Sequence, residues 1–136
     1  MYKKILIATD GSKYSEAAVK ETIKIAKSSG GAVTIISVVD VTEEFETEAP
    51  GLTEKLEGQA LKLVEDVKRR VEVEGVKAEC IVKEGEPSKS IINTAKEKNA
   101  DLIVVGSHGR TALARLLMGS VTERVIGLSD CSVLVV

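Results

Sequence analysis

Apolar residues in this chain fall into short continuous runs separated by longer stretches in which they recur every three or four positions. The first run, Lys4 to Thr9, ends at the turn cluster Asp10-Gly11-Ser12 and reads as a strand that empties into a loop. From Lys13 to Lys27 the spacing of Val19, Ile23 and Ala26 predicts a helix, stopped at Ser28-Ser29-Gly30-Gly31, where glycine can end it. Ala32 to Val39 is β-branched and apolar apart from Thr34 and Ser37, the pattern of a strand buried on both faces. The stretch Asp40 to Pro50 carries Glu43, Glu44, Glu46 and Glu48 and reads as a solvated surface connection or a lid.

Leu56, Ala60, Leu63, Val67 and Val71 then mark one amphipathic helix that closes near Gly75. Val76, Ala78, Cys80 and Val82 alternate with Lys77, Glu79 and Lys83, so a third strand is expected at a sheet edge. Gly85-Glu86-Pro87-Ser88 launches a helix with Pro at its first position, where no N–H is needed, and Ile91, Ile92 and Ala95 supply its buried face. Leu102 to Val105 is a fourth strand, Gly106 to Gly119 a glycine-bounded segment, Ser120 to Gly127 a helix, and Val133 to Val136 a fifth strand. The order βαβαβαβαβ predicts a mostly parallel sheet with right-handed crossovers and helices on both faces.

Composition narrows the picture. The 136 residues, 43% hydrophobic and 29% charged, suit one soluble domain, and a chain of this size removes roughly two-thirds of its unfolded surface from water. With two Tyr, one Phe and no Trp, the core must be built from Val, Ile, Leu and Ala. A balance of 19 Lys+Arg against 21 Asp+Glu disfavours a protein whose affinity comes from neutralising the phosphates of a nucleic acid. No apolar run approaches the roughly 18 residues needed to span a bilayer, and MYKKILIATDG is too short and polar for a secretory core, so no membrane partner and a cytoplasmic location are expected. Cys80 and Cys131 lack any CxxC or Cys/His spacing and read as buried free thiols.

In an open α/β sheet ligands bind beyond the carboxyl ends of the strands, where the strand order reverses. The loops to inspect are therefore Thr9-Asp10-Gly11-Ser12, Val38-Val39-Asp40 and Gly106-Ser107-His108-Gly109. Gly106 and Gly109 allow close approach of backbone to a ligand, and Gly119-Ser120-Val121 opens a helix whose unpaired N–H groups favour an anion. Each has a plainer reading. Ser120 with Glu123 forms a capping box, Asp10 caps the next helix or stabilises a turn, and His108, the only histidine, is an exposed loop residue. Lys13, Lys89 and Arg110 read as solvated surface. There is no GxxxxGK[ST] and no GxGxxG after strand one, which removes the P-loop and the dinucleotide fingerprint. A phosphate-accepting receiver domain needs carboxylates at the ends of strands one and three, and strand three ends in Lys83-Glu84.

The segment GSHGRTALARLLMGS, Gly106-x-x-Gly109 then nine residues and Gly119-Ser120, resembles the nucleotide-binding motif of the ATP-binding branch of the universal stress protein family. KKILIATDGS, SVVD, EGEPSKSI, ADLIVVGSHGR, GSVTERV and VLVV extend the resemblance over the whole chain. It implies an open parallel five-stranded sheet of order 3-2-1-4-5, Rossmann-like and of the adenine nucleotide alpha hydrolase kind. It also implies a site for ATP, or AMP or ADP, with Mg2+ or Mn2+. Carried over residue by residue, Ala8, Thr9 and Asp10 lie by adenine and ribose, and Val38 contacts the base. Gly106, Ser107, His108 and Gly109 line the ribose and phosphate region, while Gly119, Ser120 and Val121 hold the phosphates. A homodimer through the C-terminal strand follows from the same resemblance, and the apolar edge Val133 to Val136 favours pairing on its own account. Two departures stand out, Ser132 after Cys131 and Ala8, both where family members carry proline. The expected function is a homodimeric nucleotide sensor or switch in stress response, with no catalytic residue assigned. A slow ATP-hydrolysing enzyme and a nucleotide-independent dimerisation module are the other readings.

Overall fold

A computed structural model describes residues 1–40, 49–108 and 118–136. The expected acidic lid over 43–48, Gly109 and Arg110 lie outside the described residues. Five strands, β1 (Lys4–Ala8), β2 (Ala32–Val39), β3 (Ala78–Glu84), β4 (Leu102–Val105) and β5 (Ser132–Val135), form one sheet of order β3-β2-β1-β4-β5 in which every pair is parallel. The helices described are α1 (Lys13–Ser29), α2 (Leu52–Val73), α3 (Pro87–Glu97) and α4 (Ser120–Leu128). None of them is long and apolar enough to cross a membrane.

The period-two alternation of a strand explains why the central runs are apolar throughout. Ile5 and Ile7 of β1, Val33 and Ile35 of β2, and Leu102 and Val104 of β4 face one side, where they meet Ala18, Val19 and Ala26 of α1 and Val64, Val67 and Val71 of α2. Leu6, Ile36, Ile103 and Val105 face the other side and pack on Ile91, Ile92 and Ala95 of α3 and Val125 of α4. Two core layers thus flank the sheet. The stripe of α2 runs through Ala60, Val64, Val67 and Val71, with Leu56 and Leu63 half-buried beside it, so the expected Leu63 position is displaced by one residue.

Local signals fix the ends. Gly30 closes α1 in the left-handed conformation (φ 69°), its N–H donating to the Ala26 carbonyl at 2.9 Å. Pro87 opens α3, and Glu86 before it accepts from the Ser88 N–H. β3 lies at the edge with neither face fully buried, as its alternation of charged residues predicts. Two expectations are corrected. Cys80 and Cys131 are free but only half-buried, because both belong to the two edge strands or their approaches, where one flank has no neighbouring strand. Ser120 is not the cap of α4. Gly119 occupies that position in extended conformation, the Ser120 side chain is already inside the helix, and no side chain caps it.

Candidate functional site

The order 3-2-1-4-5 reverses direction between β1 and β4, so the loops after these two strands diverge and leave a crevice at their carboxyl ends. A cleft of about 220 Å³ lies there. Its residues come from the ends of β1 (Ala8, Thr9, Asp10), β2 (Ile36, Val38) and β4 (Val105, Gly106, His108). The first turn of α3 adds Pro87 and Ile91, α1 adds Ser15, and Gly119 with the start of α4 (Ser120, Val121, Thr122) completes it. One wall, made by Ile36, Val38, Pro87 and Ile91, is apolar, while Thr9, Asp10, Ser15, His108 and the start of α4 are polar.

The β1 loop is held by its own side chains. The Thr9 N–H donates to the Ile36 carbonyl at 2.9 Å, continuing the ladder one residue past β1. Asp10 Oδ1 accepts from the Ser12 N–H at 2.9 Å, the turn-stabilising role, and Ser12 rather than Asp10 caps α1 by accepting from the Ser15 N–H at 3.2 Å. Below the loop, the buried Thr9 hydroxyl donates to Ser15 Oγ at 3.0 Å and Ser15 Oγ donates to the Ser12 carbonyl at 3.0 Å. These bonds place the Asp10 carboxylate at the mouth of the crevice on a rigid turn.

Gly106 is needed for a reason the sequence did not disclose. A Cβ there would sit 2.9 Å from the Tyr14 carbonyl carbon and 3.0 Å from the Ser15 nitrogen, so the missing side chain makes room for the start of α1. The end of β4 is then joined to its neighbours. The Ser107 N–H donates to the Val136 carbonyl at 2.8 Å, the Gly119 N–H donates to the Ser107 carbonyl at 2.8 Å, and the Thr122 hydroxyl donates to the Gly106 carbonyl at 2.7 Å. The last two bonds carry the α4 N-terminus to the cleft. The helical ladder of α4 begins with Glu123 N–H to the Gly119 carbonyl at 3.0 Å, so the N–H groups of Ser120, Val121 and Thr122 precede it. Among the described residues no side chain caps these three N–H groups, and together with the positive end of the helix dipole they form a place suited to an anion.

Of the sequence-identified residues, Ala8, Thr9, Asp10, Val38, Gly106, His108, Gly119, Ser120 and Val121 converge on the cleft. Ser107 does not line it; its backbone ties β4 to the C-terminus and to Gly119, and its hydroxyl lies 2.9 Å from His108 Nδ1. His108 is not an exposed loop residue. Its ring packs on Tyr14, with centroids 4.8 Å apart and planes at 45°. Ser15, Ile36, Pro87, Ile91, Val105 and Thr122 were not foreseen. Ser15 stands three residues after a capping serine, and Pro87 opens a helix after β3, which are signals of local structure and say nothing of the cleft.

At the rim, Arg124 of α4 reaches Glu86 at 3.4 Å. The Ser88 hydroxyl and N–H bond Glu86 and hold its carboxyl below the usual carboxylate range, with Arg124 and Lys89 adding to the effect. The pair ties the first turn of α3 to α4 across the cleft's outer edge. Among the described residues no group of three or more His, Cys, Asp or Glu is placed to hold a metal. Of the described residues lining the cleft, Asp10 is the carboxylate that could help to hold a divalent ion.

The parallel sheet of order 3-2-1-4-5, with a half-apolar, half-polar crevice at its switch point, is of the doubly wound α/β class, in which that crevice is the usual place for a ligand. The chain belongs to the universal stress protein family, whose sequence model matches residues 1–136. It is 44% identical over 140 residues to universal stress protein MJ0531 of Methanocaldococcus jannaschii, covering 100% of this chain and 82% of that protein. The solved structure of MJ0577 superposes with a TM-score of 0.88 at 39% identity, over 100% of this chain and 96% of that one. A universal stress protein crystallised in complex with cAMP superposes at 0.76 with 27% identity, over 99% of this chain and 97% of that one.

Proposed function

We propose that this chain binds an adenine nucleotide, ATP or its relatives ADP and AMP, with Mg2+ or Mn2+, and acts as a homodimeric sensor or switch in a cytoplasmic stress response. The observation that carries the reading is the convergence of an apolar slot, a carboxylate and an uncapped helix N-terminus on one crevice. Ile36, Val38, Pro87 and Ile91 suit the faces of a purine. Asp10 suits ribose hydroxyls, which donate to a carboxylate. Ser120, Val121 and Thr122 suit a phosphate through their N–H groups. A volume of about 220 Å³ falls below the roughly 300–1,000 Å³ of pockets that enclose a drug-sized ligand, which suits a base and ribose with the phosphates reaching toward the start of α4. The relative in complex with cAMP supports an adenine ligand.

The switch is favoured over an enzyme by the side chains present. Of the described residues lining the cleft, only Asp10 and His108 have the chemistry of a general base, and Asp10 is engaged in its turn. Dimer formation is supported by β5, which ends the sheet with an open apolar edge of half-buried Val133, Leu134, Val135 and Val136. Calorimetric titration with ATP and magnesium tests the nucleotide reading. The Gly119→Val variant, whose backbone at φ −63° and ψ 148° admits valine, should bind at least about tenfold more weakly while its circular dichroism is unchanged. Equal affinity in the two proteins overturns the assignment of the phosphate end.

A further inference from the structure

The two ends of the proposed site are carried by different helices. Pro87 and Ile91 of α3 form part of its apolar wall, and Ser120, Val121 and Thr122 of α4 form its polar end. Deeper down both helices are fixed, since Ile91, Ile92 and Ala95 share one core layer with Val125, and the Thr122 hydroxyl ties α4 to the Gly106 carbonyl. Among the described residues, two ion pairs join α3 to α4 and the turn after it. Lys96 and Asp130, 3.9 Å apart, lie at the far end, whereas Glu86 and Arg124, 3.4 Å apart, lie at the rim of the cleft. Just before Glu86, Gly85 has φ 132°, a conformation that L side chains rarely adopt, and its N–H donates to the Val39 carbonyl at 3.0 Å. Pro87 brings no N–H to anchor the turn. The first turn of α3 is thus held to β2 behind it and to α4 across the cleft.

The rim pair has the properties of a reversible fastening. The Arg124 side chain is 62% exposed and that of Glu86 35%, so water replaces either partner at little cost. Arg124 stands one turn beyond Ser120, and helical side chains lean toward the N-terminus, which brings its guanidinium back over the turn that lines the cleft. Glu86 keeps partners when Arg124 leaves, because the Ser88 hydroxyl and N–H both bond its carboxylate and Lys89 adds a nearby positive charge. We propose that the Glu86–Arg124 pair is a clasp that gates exchange of the bound nucleotide. Closed, it holds the first turn of α3, with Pro87, against the base; open, it lets that turn move about Gly85 and the base pass. This rests on the nucleotide reading above and adds the element that sets how fast the site fills and empties. A clasp that closes in both the free and the occupied protein changes the two rates together and leaves affinity nearly unaltered. Because both partners belong to the protein, a neutral nucleoside meets the same gate as a charged nucleotide.

The test is NMR line-shape analysis of the intact chain titrated with adenosine, AMP and ATP with magnesium, which gives association and dissociation rates for each ligand. Glu86→Gln keeps an acceptor for the Ser88 N–H and removes one charge of the pair, Arg124→Gln removes the other, and Arg124→Lys retains it. Each glutamine variant should speed association and dissociation by about two- to fivefold, the scale of an exposed ion pair, with Kd within about twofold of the unaltered chain. The factor is the same for every ligand that binds. The double variant is no faster than either single one, as expected for two ends of one contact, and Arg124→Lys stays close to the unaltered chain. Sodium chloride at about 0.5 M should bring the unaltered chain toward the rates of the variants. An effect that grows with the number of phosphates would assign Arg124 to the ligand and overturn the clasp. Unchanged rates, or a weaker affinity with no change in association, would overturn it as well. Failure of the unaltered chain to bind any of the three overturns the nucleotide reading itself.

Discussion

Replacing Gly106 by alanine isolates the contact that brings the end of β4 against the start of α1. The added Cβ would lie 2.9 Å from the Tyr14 carbonyl carbon and 3.0 Å from both the Ser15 nitrogen and the Tyr14 Cβ. Carbon atoms rest about 3.5–4.0 Å apart, so one backbone must yield by roughly 0.5–1 Å. Moving α1 stretches the Thr9 to Ser15 hydrogen bond and the Ser12 cap, whereas moving β4 stretches the bond from Thr122 to the Gly106 carbonyl. Overpacking of this kind costs about 1–3 kcal/mol. Gly106 is not among the positive-φ glycines, so alanine also removes freedom from the unfolded chain, an offset of about 0.4–1 kcal/mol. The net expectation is a loss of about 0.5–2 kcal/mol. With a urea slope of about 1–3 kcal/mol per molar, the unfolding midpoint falls by roughly 0.2–2 M at unchanged slope. Nucleotide affinity should fall as well, because both displaced segments line the cleft. A midpoint equal to or above that of the unaltered protein would refute the close approach and the role given to Gly106.

Gly58 provides the opposite sign. It lies inside α2 with nothing within 4 Å of an added Cβ, so Gly58→Ala should raise stability by about 0.8–1 kcal/mol in the same urea assay. Ser15→Ala leaves the buried Thr9 hydroxyl without its acceptor and should cost about 1–3 kcal/mol, with faster hydrogen exchange at the Gly11 and Ser12 amides. The Arg70 guanidinium of α2 bonds Glu16 of α1 through both nitrogens and lowers the Glu16 carboxyl below its ordinary value. Its stabilising effect is therefore complete above the ordinary carboxylate range and is lost as pH falls through the lowered value. Since both side chains are more than a third exposed, the effect is below about 1 kcal/mol, and Glu16→Gln should flatten that part of the melting-temperature profile between neutral and acidic pH.

How much of this was legible in the sequence depends on whether a signal was local. The helix stop at Gly30, the start at Pro87 and the edge position of β3 were readable because a left-handed turn, a missing N–H and alternating charges act on their own neighbours. The two-layered core was readable only as continuous apolar runs, since nothing along Ile5, Leu6 and Ile7 says which helix each meets. The capping box at Ser120 and Glu123 was misread because the sequence did not show that Gly119, held to Ser107, would take the cap position and leave the helix open. Pro87 and Ile91 escaped notice as cleft residues for the same reason. They face the site only because α3 crosses over the end of β2.

The central claim is that the crevice beyond β1 and β4 is an adenine-nucleotide site. Its most direct test is mass spectrometry of the small molecules released when freshly purified protein is denatured. The account predicts ATP, ADP or AMP in a fixed proportion to protein. Absence of all three from that release, together with no heat on titrating ATP and magnesium into the protein, would contradict it.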